Sequence, residues 1–194
     1  MTSQQPIVAV LLAAGAGTRF GGGKLLHPLS DGVAIAAHAA RNLRAAGLEV
    51  MAVVRPGDFP LAQMLEEEGC NVTHCADASR GMGHSLAHGV AQMREAGGWI
   101  VALADMPRVR PSTIQAVAAA IASGALIAAP AYQGERGHPV AFAAGLRGEL
   151  LGLSGDSGAR AVLERHRDGI RLIECDDPGI ILDVDAQADL DRLA

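Results

Sequence analysis

Cysteines are few in this sequence, and their spacing excludes the common cysteine-based sites. Cys70, Cys75 and Cys175 are an odd number and contain no C-x-x-C pair. Disulfide frameworks need paired cysteines and thiolate zinc sites need closely spaced ones, so neither is indicated. We expect buried free thiols, which pack as small apolar side chains.

Long apolar runs and a strong net charge are missing as well. No run approaches the ~20 residues that span a bilayer, and residues 1–6 lack the basic region and apolar core of a secretion signal. The net charge is −5, with 49% apolar and 19% charged residues, which argues against disorder and against a general nucleic-acid surface. We therefore predict a soluble, cytoplasmic protein that binds neither membranes nor nucleic acid.

Lysine occurs once, and its position marks the most informative segment. Lys24 closes a loop with five glycines among residues 15–23, and the loop follows an apolar run, 7–12, that predicts a buried strand. Glycines let backbone N–H groups turn toward an anion, and Arg19 and Lys24 add positive charge. A compact ammonium can follow a phosphate oxygen as charge shifts during a reaction. The segment predicts a phosphate site at the carboxyl edge of a parallel sheet, with an ordinary surface role for Lys24 as the alternative.

Two well-known phosphate loops do not fit this segment. A Walker A loop fails twice, because Thr18 stands where its first glycine belongs and Leu25 follows the lysine. The dinucleotide fingerprint starts well but has Phe20 in place of its third glycine. The end of the second predicted strand, residues 53–55, also lacks the acidic residue that would hold a ribose.

Strand-like and helix-like patterns alternate along the chain, which predicts a mostly parallel sheet with right-handed crossovers. A length of 194 residues suits one domain with a sizeable core. We predict a single α/β domain over residues 1–194, a Rossmann-like three-layer sandwich with a mostly parallel mixed sheet. The predicted strands are 7–12, 48–54, 71–75, 99–104, 125–129, 140–142, 170–174 and 180–183. The predicted helices are 33–46, 61–68, 84–96, 111–123, 144–151, 159–167 and 187–193.

Aspartates follow two of the predicted strands. Asp105 comes directly after the central strand, where its carboxylate could join a divalent cation to phosphate oxygens. An N-cap for the helix at Pro111 is the alternative, but Pro111 lies six positions further along the chain. Asp183 and Asp185 would point to the same side of an extended segment, so both could address one cation. For these two, solvated carboxylates that cap the last helix are the alternative.

Two further groups of polar residues could contact a substrate. Gly81 and Ser85 lie at a predicted helix start, where N–H groups and the hydroxyl could meet a base or ribose, although Ser85 could simply cap the helix. His84 and His88 are one turn apart, but no third metal ligand is evident. Two glycine-bearing loops carry charges, with ordinary turn chemistry as the alternative. Their polar or turn-forming residues are Arg136, Gly137, His138 and Pro139 in one loop and Asp156 and Arg160 in the other.

The pattern L-A-A-G-x-G-x-R-x-G-x-x-K, which begins at Leu12, is similar to the opening signature of nucleotidyltransferases with a GT-A-like fold. Within them the chain most resembles the molybdenum cofactor cytidylyltransferases. Segments similar to the family's G-M-x-x-S-L, L-A-D-x-P, R-G-H-P and G-D-x-G-A-R motifs occur in addition. The family's D-I-D-T-P-E-D pattern is matched in part, since residues 186–188 replace T-P-E while Asp183, Asp185 and Asp189 remain.

The resemblance implies a role for each matched residue. Arg19, Lys24 and Asp105 would be catalytic, and Asp105 and Asp185 would hold Mg²⁺. The loop residues 136–139, with Asp156 and Arg160, would bind the second substrate. The nucleotide would contact Leu12, Ala13, Ala14, Gly15, Gly17, Arg19, Lys24, Gly81, Ser85 and Asp105.

The resemblance also implies a reaction. The enzyme would move CMP from CTP to the phosphate of molybdopterin or the molybdenum cofactor and release pyrophosphate. Guanylyl-transferring relatives carry L-A-G-G where this chain has Ala14, whose methyl group should narrow the space for the base and favour CTP over GTP. The alternatives are GTP or a sugar or polyol phosphate as substrate, or a non-catalytic carrier that delivers the cofactor to a molybdenum hydroxylase.

Overall fold

A computed structural model describes residues 5–193. Residues 1–4, which belong to the segment predicted to lack a secretion signal, and residue 194 lie outside the described residues. The strands are β1 (Ile7–Leu12), β2 (Val50–Val54), β3 (Asn71–His74), β4 (Gly98–Leu103), β5 (Ile127–Tyr132), β6 (Glu135–Arg136), β7 (Val140–Ala143) and β8 (Ile170–Glu174). The α-helices are α1 (Ile35–Ala45), α2 (Phe59–Glu67), α3 (Met82–Gln92), α4 (Pro111–Ala122), α5 (Arg147–Leu151) and α6 (Arg160–Arg165).

The strands form one eight-stranded sheet in the order β3-β2-β1-β4-β7-β5-β6, with β8 paired to β5. β1 pairs in parallel with β2 and β4, β2 with β3, and β5 with β8. β7 runs antiparallel between β4 and β5, and β6 forms a hairpin with β5. The predicted mostly parallel, mixed sheet is therefore confirmed. β1 lies between β2 and β4, so the loop that leaves β1 emerges between the ends of two parallel strands.

Both faces of the sheet are covered, which explains why β1 is apolar throughout. Ala9 and Leu11 point into the core beneath α1, α2 and α4, whereas Val8 and Val10 point into the core beneath α3, α5 and α6. Side chains alternate along a strand, so a strand covered on both faces reads as a continuous apolar run. The predicted three layers are confirmed by this arrangement.

The strand predicted at 180–183 is wrong. The chain forms a 3₁₀ turn at Pro178–Ile181 instead, because the Asp177 carboxylate, 2% exposed, accepts the Gly179 N–H and binds the start of α4. It accepts the Arg110 N–H at 2.9 Å and the Thr113 hydroxyl at 2.6 Å. These hydrogen bonds fix the backbone before the apolar residues 180–182, which therefore do not pair with a strand of the sheet.

Smaller differences concern the helices and the thiols. The segment predicted as one helix at 144–151 is a 3₁₀ turn, Ala144–Leu146, followed by α5, and the last helix, Gln187–Leu193, is 3₁₀ in form. Cys70 and Cys75 are buried free thiols as expected, but Cys175 is partly exposed. Burial raises the pKa of Cys70 to about 11. Within residues 5–193, no helix is long and apolar enough to cross a membrane.

Candidate active site

The glycine-rich loop after β1 folds into two short 3₁₀ turns, Thr18–Phe20 and Lys24–Leu26. Gly17 and Gly23 precede them in left-handed conformations, with φ of 58° and 64°, which glycine adopts without strain. A Cβ on Gly17 would lie 3.3 Å from the Lys24 Cβ, so the two turns also pack closely. Phe20 anchors the loop by packing against Ile35 and Val184. The packing of Phe20 thus fixes the loop, and the loop places Arg19 and Lys24 at the edge of the sheet.

Four charged side chains meet beside this loop. The Lys24 ammonium donates to Asp105 Oδ2 at 2.7 Å and lies 3.7 Å from Asp185 Oδ1. The Arg19 guanidinium donates to Asp185 Oδ2 at 2.6 Å. The Lys24 side chain is 10% exposed and the Arg19 side chain 77% exposed, so Lys24 is the inner cation. We call these residues the charged quartet.

Asp185, not Asp183, belongs to the charged quartet. The Val184 N–H donates to the Asp105 carbonyl at 3.0 Å, which fixes the C-terminal segment beside the end of β4. Asp183 is exposed next to it. Asp189 accepts the N–H groups of Asp185 and Ala186 at 2.9 and 2.7 Å, and these bonds lower the pKa of its carboxyl group. Asp189 therefore starts the last helix in place of the missing T-P-E residues, and leaves Asp185 for the site.

Three members of the charged quartet, Arg19, Lys24 and Asp105, line a cavity of about 990 Å³ at the carboxyl edge of the parallel strands. This position is the usual ligand site of an open α/β sheet. Asp185 contacts Arg19 and Lys24 but is not part of the lining. Ala13 lies beneath the lining, where its N–H donates to the Val53 carbonyl. The predicted site residues that line the cavity are Leu12, Ala14, Gly15, Gly17, Arg19, Lys24, Gly81, Ser85, Asp105 and Asp156.

The loop after β2 contributes lining residues that the sequence analysis missed. Arg55 and Asp58 face the cavity and lie 4.0 Å apart, with Pro56 and Gly57 between them. Arg55 directly follows a parallel strand, so the strand-end rule that identified Asp105 could have found it.

The loop at 154–158 is fastened to the start of α3. The Gly83 N–H donates to the Gly155 carbonyl at 2.8 Å, and the Gly155 N–H donates to His84 Nδ1 at 3.2 Å. A Cβ on Gly81 would overlap the Gly155 carbonyl and Asp156, so this approach requires glycine. The contact brings Asp156, which the family resemblance assigns to the second substrate, to the cavity wall.

The remaining polar residues of α3 do not form a metal pair. His84 is engaged by the 154–158 loop, whereas His88 bonds the Thr73 hydroxyl at 2.8 Å through Nε2. The Ser85 hydroxyl makes no capping bond and is buried in the cavity wall. The capping alternative for Ser85 is therefore wrong.

The residues 136–139 do not line the cavity. The N–H groups of Gly137 and His138 donate to the carbonyls of Pro130 and Ile180, each at 2.9 Å, and the His138–Pro139 peptide bond is cis. Burial lowers the pKa of His138, and the nearby charge of Asp105 opposes that shift. This loop therefore flanks Asp105. Arg160, at the start of α6, is exposed and lies 3.7 Å from Glu164, outside the lining.

The donor set of the charged quartet suits a hard divalent cation. Carboxylate oxygens of Asp105 and Asp185 already converge on one cation, the Lys24 ammonium. Among the residues described, no group of three or more His, Cys, Asp or Glu side chains could hold a metal alone. Mg²⁺ is often held by one or two carboxylates together with substrate phosphates and water, so two carboxylates beside this glycine-rich loop fit it.

Comparison with known proteins agrees with this geometry. Residues 9–170 match the model of the MobA-like NTP transferase domain. The chain belongs to this family. The predicted family resemblance and the predicted enzyme class, a nucleotidyltransferase, are therefore confirmed.

Individual relatives cover almost the whole chain. The chain is 32% identical to the "Nicotine blue oxidoreductase" of Paenarthrobacter nicotinovorans over 96% of both chains. The crystal structure of Rv0371c from Mycobacterium tuberculosis superposes with a TM-score of 0.85 at 29% identity, over 100% of this chain and 98% of that one. A manganese complex of Rv0371c gives 0.79 at 26% identity, over 97% of both chains. A nucleotidyl transferase from Methanothermobacter thermautotroptrophicus gives 0.81 at 26% identity, over 97% and 95%.

Proposed function

We propose that this nucleotidyltransferase moves CMP from CTP to the phosphate of molybdopterin or the molybdenum cofactor, with Mg²⁺ as the metal and pyrophosphate as the second product. The proposal rests on one observation, the charged quartet beside the glycine-rich loop. It offers two cations for phosphate oxygens and two carboxylates for a divalent metal. No side-chain nucleophile is needed, because the acceptor phosphate itself attacks.

In the proposed reaction an acceptor phosphate oxygen attacks the α-phosphorus of CTP in line. The bond to the β-phosphate oxygen breaks, and pyrophosphate leaves. Loop N–H groups, Arg19 and Lys24 bind the phosphate oxygens and stabilise the charge that develops on them. Asp105 and Asp185 hold Mg²⁺, which when bound withdraws charge from the phosphate oxygens. Asp156 in the cavity wall and the loop at 136–139 are the candidates for orienting the acceptor.

Cavity size and lining support a reaction between two substrates. A volume of about 990 Å³ is at the upper end of ordinary ligand pockets and leaves room for an acceptor beside a nucleotide. Ala14 lies in the lining and is 8% exposed, so its methyl group takes space that glycine would leave open. This favours a pyrimidine over a purine. The manganese complex of a relative supports a divalent metal in this fold.

The name of one relative, "Nicotine blue oxidoreductase", suggests a different chemistry, an oxidation or reduction. Residues of this chain argue against a dinucleotide cofactor in the usual fingerprint. Phe20 occupies the position of the third glycine and is buried as the anchor of the loop. Arg55 directly follows β2, where that fingerprint places an acidic residue. Nucleotidyl transfer therefore fits the site better.

Pyrophosphate release tests the proposal. The purified protein is incubated with Mg²⁺, with or without molybdopterin, and with each of the four nucleoside triphosphates in turn. We expect release with CTP that requires both molybdopterin and metal. Release with GTP alone, or release that a sugar phosphate supports and molybdopterin does not, would replace the proposed substrates. The absence of release in every combination would refute nucleotidyl transfer to these acceptors.

A further inference from the structure

Each cation of the charged quartet is already bound to a carboxylate of the same quartet. Lys24 contacts Asp105 at 2.7 Å, and Arg19 contacts Asp185 at 2.6 Å. The two cations proposed to bind phosphate are thus paired with the two carboxylates proposed to bind the metal. The charges cancel within the quartet, so a metal has to displace a cation from these carboxylates and a triphosphate has to draw these cations away from them.

Lys24 is placed where it competes directly with a metal. Its ammonium lies within 4 Å of oxygens on both carboxylates, at 2.7 and 3.7 Å. A divalent cation bound to the same oxygens would lie within a few ångströms of this positive charge and be repelled by it. The side chain is only 10% exposed, so solvent and salt screen this interaction less than they screen a surface pair.

Arg19 makes a comparable contact but in a different environment. Its side chain is 77% exposed, and its partner Asp185 is 43% exposed. Such a pair is weak and easily exchanged for water. The obstacle to metal binding therefore resides mainly in Lys24, although both residues are cations in the same loop.

We propose that Lys24 is an internal counter-ion that keeps the metal site closed until a triphosphate draws the ammonium away from Asp105. The phosphate chain exchanges partners with the protein, because its oxygens take Lys24 while the metal takes the two carboxylates. Metal and nucleotide then strengthen each other's binding, and by thermodynamic linkage the effect is the same in both directions. This inference rests on the proposed function, since it assumes a triphosphate at the glycine loop.

Manganese binding without nucleotide tests the proposal. Free Mn²⁺ is measured by electron paramagnetic resonance during titration of the wild type and of Lys24→Met, Lys24→Arg and Arg19→Met. We expect Lys24→Met to bind Mn²⁺ at least about tenfold more tightly than the wild type, because a nearby positive charge is gone. Lys24→Arg, which keeps the charge, should stay close to the wild type, and Arg19→Met should change less than Lys24→Met.

Arg41→Met is the matched control. It removes the same charge from an exposed pair with Glu68, whose Nη2 to Oε1 distance is 2.7 Å, and should leave Mn²⁺ binding unchanged. The proposal is overturned if Lys24→Met binds Mn²⁺ no more tightly than the wild type. It is also overturned if Arg41→Met tightens binding as much, since the effect would then be one of net charge.

A second measurement needs no variant at Lys24. Because the chain has one lysine, selective ¹³C labelling of lysine gives a single ε-carbon resonance. We expect this resonance to shift when CTP and Mg²⁺ are added together, but not with Mg²⁺ alone at the same concentration. An equal shift with Mg²⁺ alone, or no shift with both, contradicts the exchange. Either readout can fail while the enzyme still releases pyrophosphate, so failure here is distinct from failure of the proposed function.

Discussion

Asp105 is the single residue on which the proposed chemistry depends most. Asp105→Asn keeps the size and polarity of the side chain but removes the charge that faces Lys24 at 2.7 Å. We expect CTP turnover at limiting Mg²⁺ to fall roughly hundredfold or more, because an amide is a weaker ligand for a hard cation. Initial rates across a Mg²⁺ series measure this. Asp183→Asn is the matched control, since it changes an exposed carboxylate outside the quartet; wild-type turnover in Asp105→Asn would disprove the metal assignment.

Lys24 should act mainly on turnover. A group that follows developing charge lowers kcat when removed, whereas a group that binds substrate and transition state alike raises KM. We expect Lys24→Ala to lower kcat by about 10²–10³-fold with a smaller change in KM for CTP. Steady-state kinetics separate the two effects. An unchanged kcat with weaker CTP binding would leave Lys24 as a tether for the nucleotide.

Ala14 offers a test of base selection through one methyl group. A purine would have to displace the loop or lose hydrogen bonds to it, which costs enough for about a tenfold to hundredfold preference for CTP. We expect Ala14→Gly to relax this preference, measured as the ratio of kcat/KM for CTP and GTP. An unchanged ratio would show that other lining residues select the base.

At the residue scale, the sequence was most informative at strand ends. Lys24 and Asp105 could be identified because glycine-rich loops and carboxylates after buried strands share one edge of a parallel sheet. Arg55 follows the same rule and was overlooked. The pairing of Lys24 with Asp105 could not be predicted, because it depends on a contact between residues 81 positions apart.

At the scale of elements, the close packing of α3 on the sheet fixes the cavity wall that carries Ser85. A Cβ on Gly89 would lie 2.5 Å from Val10 Cγ1 and 2.8 Å from Val53 Cγ2, and both partners are stiff buried side chains. We expect Gly89→Ala to lower the free energy of unfolding by about 1–3 kcal/mol through overpacking. Urea denaturation measures the change.

Gly148→Ala is the control for this prediction. Gly148 lies in α5, and a Cβ there would have nothing within 4 Å. Alanine should therefore be neutral or stabilise by about 0.5–1 kcal/mol, because glycine loses more backbone entropy in a helix. If Gly89→Ala proves as stable as Gly148→Ala, then α3 can shift away from the sheet without cost.

Element types were predicted well where periodicity was strong and poorly where one buried side chain decides the structure. Strands β1, β2 and β4 follow from apolar runs of five or six residues, since few other structures suit such runs. The run at 180–182 is equally apolar but forms a turn, because Asp177 binds the backbone of Arg110, Gly179 and the hydroxyl of Thr113. Such long-range anchors leave no periodic signal in the sequence.

At the scale of the whole molecule, the fold gathers residues that are far apart in the chain. Arg19 and Asp185 are separated by 166 positions and meet at 2.6 Å. The parallel strands explain why the β1 and β4 ends meet, but only the family resemblance indicated that the C-terminal segment would join them. The predicted second-substrate residues are divided, with Asp156 in the cavity wall and the 136–139 loop beside Asp105.

Competition between CTP and GTP is the most direct test of the proposed transfer of CMP to a molybdopterin phosphate. The enzyme is incubated with purified molybdopterin, Mg²⁺ and equal concentrations of CTP and GTP, and the nucleotide-linked product is identified by mass spectrometry. We expect a cytidine-linked pterin as the dominant product, formed in step with pyrophosphate. A dominant guanosine-linked product, or no nucleotide on the pterin at all, would contradict it.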